Sequence, residues 1–263
     1  MKVLPISTTV EKDKFSLFEN LKSSDFKYKE NDILAISSKY VAISEGSVIN
    51  LSKVKVGKEA NILASQYHMD AKLAEITLRE SDYIFKGVPG FLLAVSNGML
   101  APNAGIDKSN IPPGFVVLYP RDPFRSAETL RVKFLIEYGI RIGVLITDSR
   151  LMPTRIGTVG IAIACSGFEP VEDQRGKKDL FGKVLRVTLK AIADSLATMA
   201  VAAMGESDES TPAAIIRDTG ISATNRKLSW YDMAIDTEQD IYIGGSKSLK
   251  CFPQKVRYND RAF

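Results

Sequence analysis

The stretch from Val184 to Met204 limits the architecture more than any other part of this sequence. Leu185, Leu189, Ile192, Leu196, Met199 and Ala203 recur at alternating steps of four and three, and Gly205 follows as a stop. An apolar stripe with that period predicts one long helix laid against a core. What it packs on must come from short apolar runs elsewhere. Asp32–Ile43, Gly143–Asp148, Val159–Ala164 and Ala213–Arg217 read as strands. The polar Ser37-Ser38-Lys39 inside the first run suggests that the strand ends at a ligand or turns there. Residues 58–85 read as helical, with Leu63, Leu73 and Ile76 inward. Asn97-Gly98 between FLLAV and MLAPNAGI predicts a hairpin, because both turn positions need positive φ. Ser126 is placed to cap a helix over Ala127–Tyr138, closed by Gly139, with Leu130, Phe134, Leu135 and Tyr138 inward.

These elements do not alternate regularly, which favours α+β over a doubly wound sheet. No linker divides the chain, so residues 1–263 are expected to form one domain, or two intertwined subdomains. Beyond Asp218 the pattern mixes turns and short extended pieces.

Composition narrows function. Lysine and arginine exceed the acids by 35 − 31 = 4 charges, too few for a nucleic-acid-binding stripe. The uncharged run from Gly87 to Ile106 is broken by Gly, Pro and Asn, so no membrane helix is expected. One histidine, His68, and two cysteines, Cys165 and Cys251, rule out Cys- or His-rich metal sites and argue against a disulfide framework. The N-terminus lacks an apolar secretory core, so a reducing, cytoplasmic setting is expected. The P-loop, dinucleotide, zincin and nucleophile-elbow motifs are missing.

What remains is a set of acids at element ends: Asp107, Asp148 beside Ser149, Glu206 and Asp208. Each alone is an ordinary turn or cap residue. Together at one rim they would suit a hard cation bridging to phosphate. Lys39 offers a positive charge, and the Gly- and Ser-rich stretches offer backbone N–H groups.

Ordered motifs then point to a family. SSKYVAISEG at 37–46, NAGIDKSN at 103–110, DPFRSAETLR at 122–131, GVLITDS at 143–149, the long run 157–206 and PAAIIR at 212–217 resemble the coenzyme F420-0:L-glutamate ligases. The resemblance covers about 30–220 of the chain. It implies a GTP-dependent ligase that joins L-glutamate to coenzyme F420-0 through an acyl phosphate. It also implies an intertwined homodimer of mixed and antiparallel sheets with helices. By the same resemblance, Asp107, Asp148 and Glu206 are catalytic. Asp107, Asp148, Ser149 and Glu206 bind a divalent metal, Mg²⁺ or Mn²⁺, with K⁺ as an additional cation. Ser38, Lys39, Asn110, Met204, Gly205, Ser207 and Asp208 contact GTP. Phosphoryl transfer needs positioning and charge neutralisation more than covalent help, which agrees with a chain holding one histidine.

Three departures stand out. Ile43 replaces a lysine usual in the first motif. Arg150-Leu151-Met152-Pro153 replaces a Gly-Arg, and Arg217-Asp218 replaces an Arg-Gly. Two other readings stay open: a ligase of the same fold for another carboxylate or amino acid, and a non-catalytic homologue that binds GTP or F420.

Overall fold

The computed structural model describes residues 1–236 and 238–246. Cys251 lies outside the described residues. In chain order the strands are β1 (Lys2–Ile6), β2 (Ile33–Ser37), β3 (Val48–Asn50), β4 (Tyr83–Val88), β5 (Phe91–Ser96), β6 (Met99–Pro102), β7 (Phe115–Val117), β8 (Gly143–Leu151), β9 (Thr158–Ser166), β10 (Val171–Asp173), β11 (Leu189–Ala191) and β12 (Ala213–Arg217). The helices are α1 (Leu17–Ser23), α2 (Ser38–Glu45), α3 (Lys58–Gln66), α4 (Ala71–Glu80), α5 (Pro123–Tyr138), α6 (Ile192–Met204) and α7 (Ile241–Ser246).

The centre is a five-stranded sheet in the order β1-β12-β2-β8-β9, antiparallel except for the parallel pair β2–β8. Period-2 alternation sends its residues to two covered faces. Ile33, Ala35, Leu145, Ala214 and Ile216 pack with Leu196, Ala197 and Ala200 of α6. Leu34, Ile36, Val144, Ile146 and Ile215 pack with Phe18 and Leu21 of α1 and with Leu130 and Phe134 of α5. Burial on both sides explains why these strands read as unbroken apolar runs. Beside this core lie a helical pair (α3, α4), a two-stranded β3–β7 sheet, a β4-β5-β6 meander and the β10–β11 pair. The mixed α+β expectation holds.

Several boundaries move, each for a physical reason. The Asp32–Ile43 strand stops at Ser37, and α2 begins at Ser38. Six of the eight residues of α2 are buried, so the helix carries no amphipathic period to separate it from a buried strand. The 58–85 helix breaks in two at a turn where His68 takes φ 47°, and Asp70 caps α4 by accepting from the Lys72 and Leu73 N–H groups. Leu73 and Ile76 are buried and Leu63 is half-buried, but residues 83–85 belong to β4.

Helix α5 starts earlier than expected. Asp122, not Ser126, is its cap, accepting from Arg125 N at 3.0 Å, and Pro123 fills the first helical position. The Ser126 hydroxyl instead donates to Glu45 Oε1 at 2.6 Å. Leu130 and Phe134 are buried, while Leu135 and Tyr138 are each 41% exposed. The long helix covers only Ile192–Met204, because Leu189–Ala191 pairs with β10. Its buried face is Ala193, Leu196, Ala197, Ala200, Val201 and Met204, turned away from the expected stripe. Small residues win that face because the helix lies directly on β9. A Cβ on Gly160 would sit 2.3 Å from the Ala197 carbonyl oxygen.

The Asn97-Gly98 hairpin forms, with Ser96 paired to Met99 and both turn residues at positive φ. Strand Ala213–Arg217 has the expected limits.

Candidate functional site

One row of register partners fixes where the site lies. Ile6, Ala213, Ile36, Ile146 and Ala164 sit side by side across the central sheet, all in one apolar cluster. Just past this row, the ends of β1 and β2, the start of β12 and the middle of β8 converge. They open on a cleft of about 630 Å³. Such space beyond the carboxyl ends of parallel strands is where ligands commonly bind. The cleft is lined by Ser37 and Lys39 from the β2–α2 junction, Asp107, Ser109 and Asn110, Thr147–Ser149 on β8, Met204–Thr211 after α6, and Thr8–Lys12 after β1.

Asp148 reaches the cleft because β8 runs past the core row. A bulge helps to aim it: β9 carries one extra residue, Ile163, between the partners of Ile146 and Thr147. The carboxylate is tied on both oxygens, with Oδ1 accepting from Ser38 Oγ at 3.3 Å and Oδ2 from the Tyr119 hydroxyl at 2.7 Å. Burial raises its carboxyl above the ordinary aspartate value. The Tyr119 hydrogen bond and the Arg150 charge oppose that, and the nearby Asp107 charge adds to it.

Asp107 is held by its backbone, which exchanges N–H···O bonds of 3.0 and 2.9 Å with Val117 at the end of β7. Lys39 Nζ lies 2.7 Å from Asp107 Oδ2, and the Ser109 N–H donates to Oδ1 at 2.7 Å. Burial works to raise this carboxyl too, but the Lys39 charge and the Lys39 and Ser109 hydrogen bonds outweigh it and hold it low.

The loop after α6 is tied to both sides. Asn110 Nδ2 donates to the Ser207 carbonyl at 2.6 Å, and Thr158 Oγ1 donates to Glu206 Oε1 at 3.2 Å. The Ser207 N–H donates to Glu209, and Thr211 Oγ1 to the Met204 carbonyl. Gly205 turns the chain at φ 80°.

Of the expected site residues, Lys39, Asp107, Asn110, Asp148, Ser149, Met204, Gly205, Glu206, Ser207 and Asp208 all line this cleft. Ser38 is buried behind it, on Asp148. His68 is exposed and is not part of the lining. The expected metal donors are all oxygens, the chemistry hard divalent cations require. The Asp107 charge that opposes ionisation of Asp148 is likewise what a cation relieves. Among the described residues, no three His, Cys, Asp or Glu side chains are gathered as a ready cluster, and Lys39 is the positive charge on Asp107.

Reading the sequence missed the Thr8–Lys12 segment, Ser109, Tyr119 and Thr158. Thr8–Lys12 reaches the cleft only through the pairing of β1 with β12, which no local motif signals. Tyr119 carries no signal beyond an apolar context. The departures also find places. Ile43 is buried against Val117 in a small apolar cluster. Arg150 donates to the Tyr119 oxygen at 2.8 Å. Asp218 takes φ 58°, the left-handed conformation that glycine adopts freely and that Asp tolerates better than most residues.

Comparison with known proteins identifies the family. A family model described as F420-0:gamma-glutamyl ligase matches residues 11–218, so the match starts well before residue 30. The coenzyme F420:L-glutamate ligase of Methanopyrus kandleri is 42% identical over 190 residues, 72% of this chain and 75% of the relative. That of Methanocaldococcus jannaschii is 38% identical over 220 residues, 83% of this chain and 87% of the relative. That of Archaeoglobus fulgidus is 35% identical over 200 residues, 76% and 80% of the two chains. The chain, with its two differently held aspartates at one sheet end, belongs to the F420-0:gamma-glutamyl ligase family.

Proposed function

We propose that the protein is a GTP-dependent ligase that joins L-glutamate to coenzyme F420-0. The observation that carries this is the convergence of Asp107, Asp148 and Glu206 with Lys39 on one cleft of about 630 Å³, large enough for a nucleotide. The family description supplies F420-0 as the acceptor, and the names of the relatives supply the amino acid.

In this reading a carboxylate oxygen of the F420-0 arm attacks the γ-phosphorus of GTP, and GDP leaves. The glutamate amine then attacks the acyl carbon, inorganic phosphate departs, and the amine loses a proton. Asp107, Asp148, Ser149 and Glu206 would hold Mg²⁺ or Mn²⁺, which neutralises phosphate charge when bound. K⁺ is a further expected cation. Lys39, Ser38 and the N-terminal end of α2 favour the phosphates, since unpaired helix N–H groups and a lysine both attract anions. Asn110, Met204, Gly205, Ser207 and Asp208 close around the nucleotide, with Asn110 already bonded to the Ser207 carbonyl.

A homodimer and a cytoplasmic location go with this reading. The segment between β10 and β11 supports the dimer: Leu180 and Phe181 are almost fully exposed and Val187 is 85% exposed, an apolar surface that a second copy would cover. No helix among the described residues is long and apolar enough to cross a membrane.

The test is phosphate release from GTP with one component omitted at a time. Release that requires F420-0, L-glutamate and divalent metal together supports the ligase. Release with another carboxylate in place of F420-0 would favour a different acceptor, and GTP binding without release would favour a non-catalytic homologue.

A further inference from the structure

We propose that Tyr119 is a positioning residue that fixes the Asp148 carboxylate, and that the left-handed turn at 103–105 seats its ring. Tyr119 is 8% exposed and stands behind Asp148, outside the cleft lining. Its hydroxyl is 2.7 Å from Asp148 Oδ2 and 2.8 Å from Arg150 Nη2. A guanidinium can only donate. The phenol oxygen therefore accepts from Arg150, and its single proton goes to Asp148. That assignment leaves the carboxylate one orientation, with Oδ1 toward Ser38. Arg150 thus acts on Asp148 through the phenol, which it polarises into a stronger donor.

The ring has room because of an uncommon backbone. Asn103, Ala104 and Gly105 take φ of 48°, 55° and 75° in succession. A Cβ on Gly105 would lie 2.0 Å from a Tyr119 ring carbon. The buried Asn103 side chain holds the turn, accepting from Leu92 N at 2.8 Å. Backbone strain of this kind persists only where the surroundings over-determine it, and such places cluster at functional sites. The same segment continues to Asp107. One stretch of chain therefore sets both aspartates, one directly and one through the Tyr119 ring.

The inference rests on the proposed metal-dependent reading, and the test separates the two. The full chain, Tyr119→Phe and Arg150→Met are titrated with Mn²⁺ alone, followed by the electron paramagnetic resonance signal of the free ion. Steady-state ligase kinetics and thermal unfolding accompany the titration. Groups that orient metal ligands typically change affinity or activity by about 10–100-fold when removed. Tyr119→Phe keeps the ring and is expected to weaken Mn²⁺ binding and lower kcat by that order, with KM for L-glutamate unchanged. Arg150→Met is expected to shift both in the same direction by less. Mn²⁺ affinity and kcat within about twofold of the parent in both variants would overturn the proposal and leave Tyr119 as packing alone. A parent that binds Mn²⁺ but forms no product would remove the ligase reading while the Tyr119 effect on Mn²⁺ stays measurable. A parent that binds no Mn²⁺ would overturn both.

Discussion

Lys39 Nζ lies 2.7 Å from Asp107 Oδ2 and donates at 2.7 Å to the Ser109 hydroxyl, so a lysine now supplies the charge that a bound cation would bring to this aspartate. Lys39 is four-fifths shielded from solvent, which makes its loss costly. Removing a charge-assisted contact of this kind costs about 1.5–3 kcal/mol, on the order of 10–100-fold in affinity. Lys39→Met is expected to raise the KM for GTP by that order, and to let the Asp107 carboxyl rise. Calorimetric GTP binding checks it, and an unchanged affinity would confine Lys39 to holding Asp107.

The contact between Gly160 and α6 predicts a stability effect with a functional echo. An added Cβ would meet the Ala197 carbonyl oxygen at 2.3 Å and Val201 Cβ at 2.8 Å. Neither is the free end of a flexible side chain, so the helix or the strand must shift. Overpacking of this kind costs about 1–3 kcal/mol. Gly160→Ala is expected to lower the denaturation midpoint and, because α6 ends at Met204 beside the cleft, to weaken GTP binding as well. A variant as stable as the parent would show that α6 has slack against β9.

Arg217 and Asp32 form a bidentate pair with both contacts at 2.7 Å, and Asp32 is 1% exposed. Taking one partner from a buried pair leaves the other charge uncompensated, at about 3–5 kcal/mol. Arg217→Met is expected to destabilise by that order in chemical denaturation, with little change in GTP affinity for the fraction still folded. Destabilisation below about 1 kcal/mol, the range of exposed pairs, would mean that water reaches Asp32.

Much of this frame was legible in the sequence, and what was not follows a pattern. Ala213–Arg217 and the Asn97-Gly98 hairpin have local causes, a short apolar run and two positive-φ residues, and both form as read. Ser38–Glu45 misled because a helix buried all round has a strand's composition. Val184–Ala191 misled because Leu185 and Leu189 continue the helical period by chance, while pairing with β10 claims the backbone of Leu189–Ala191 and a bridge to Lys178 that of Val184. The acids at the site were readable as types at element ends. Their convergence was not, because it depends on sheet order, which brings residues 8–12, 107, 148 and 206 to one end. Tyr119 and Thr158 gave no local sign at all.

Acid stability should register Glu128. The hydrogen bond from Arg131 chiefly holds its carboxyl below the usual glutamate value; burial opposes this, and the Ser166 hydrogen bond and the Arg131 charge add to the lowering. Its folded pKa therefore lies under the unfolded value of about 4.3, so its contribution is full above that pH and fades as pH falls through the folded value. Glu128 is about half exposed, which limits the gain to roughly 1 kcal/mol or less. Glu128→Gln is expected to be less stable than the parent at neutral pH, with the gap closing toward pH 3. A gap that stays constant with pH would assign the effect to packing instead.

The most direct measurement is the mass of the product. The purified protein is incubated with F420-0, L-glutamate, GTP and Mg²⁺ or Mn²⁺, beside an Asp148→Ala control and a metal-free control. The expected result is F420-0 heavier by one or more glutamyl residues, formed only with metal and lost in Asp148→Ala. Unchanged F420-0 mass in a protein that binds both GTP and F420-0 would contradict the ligase reading.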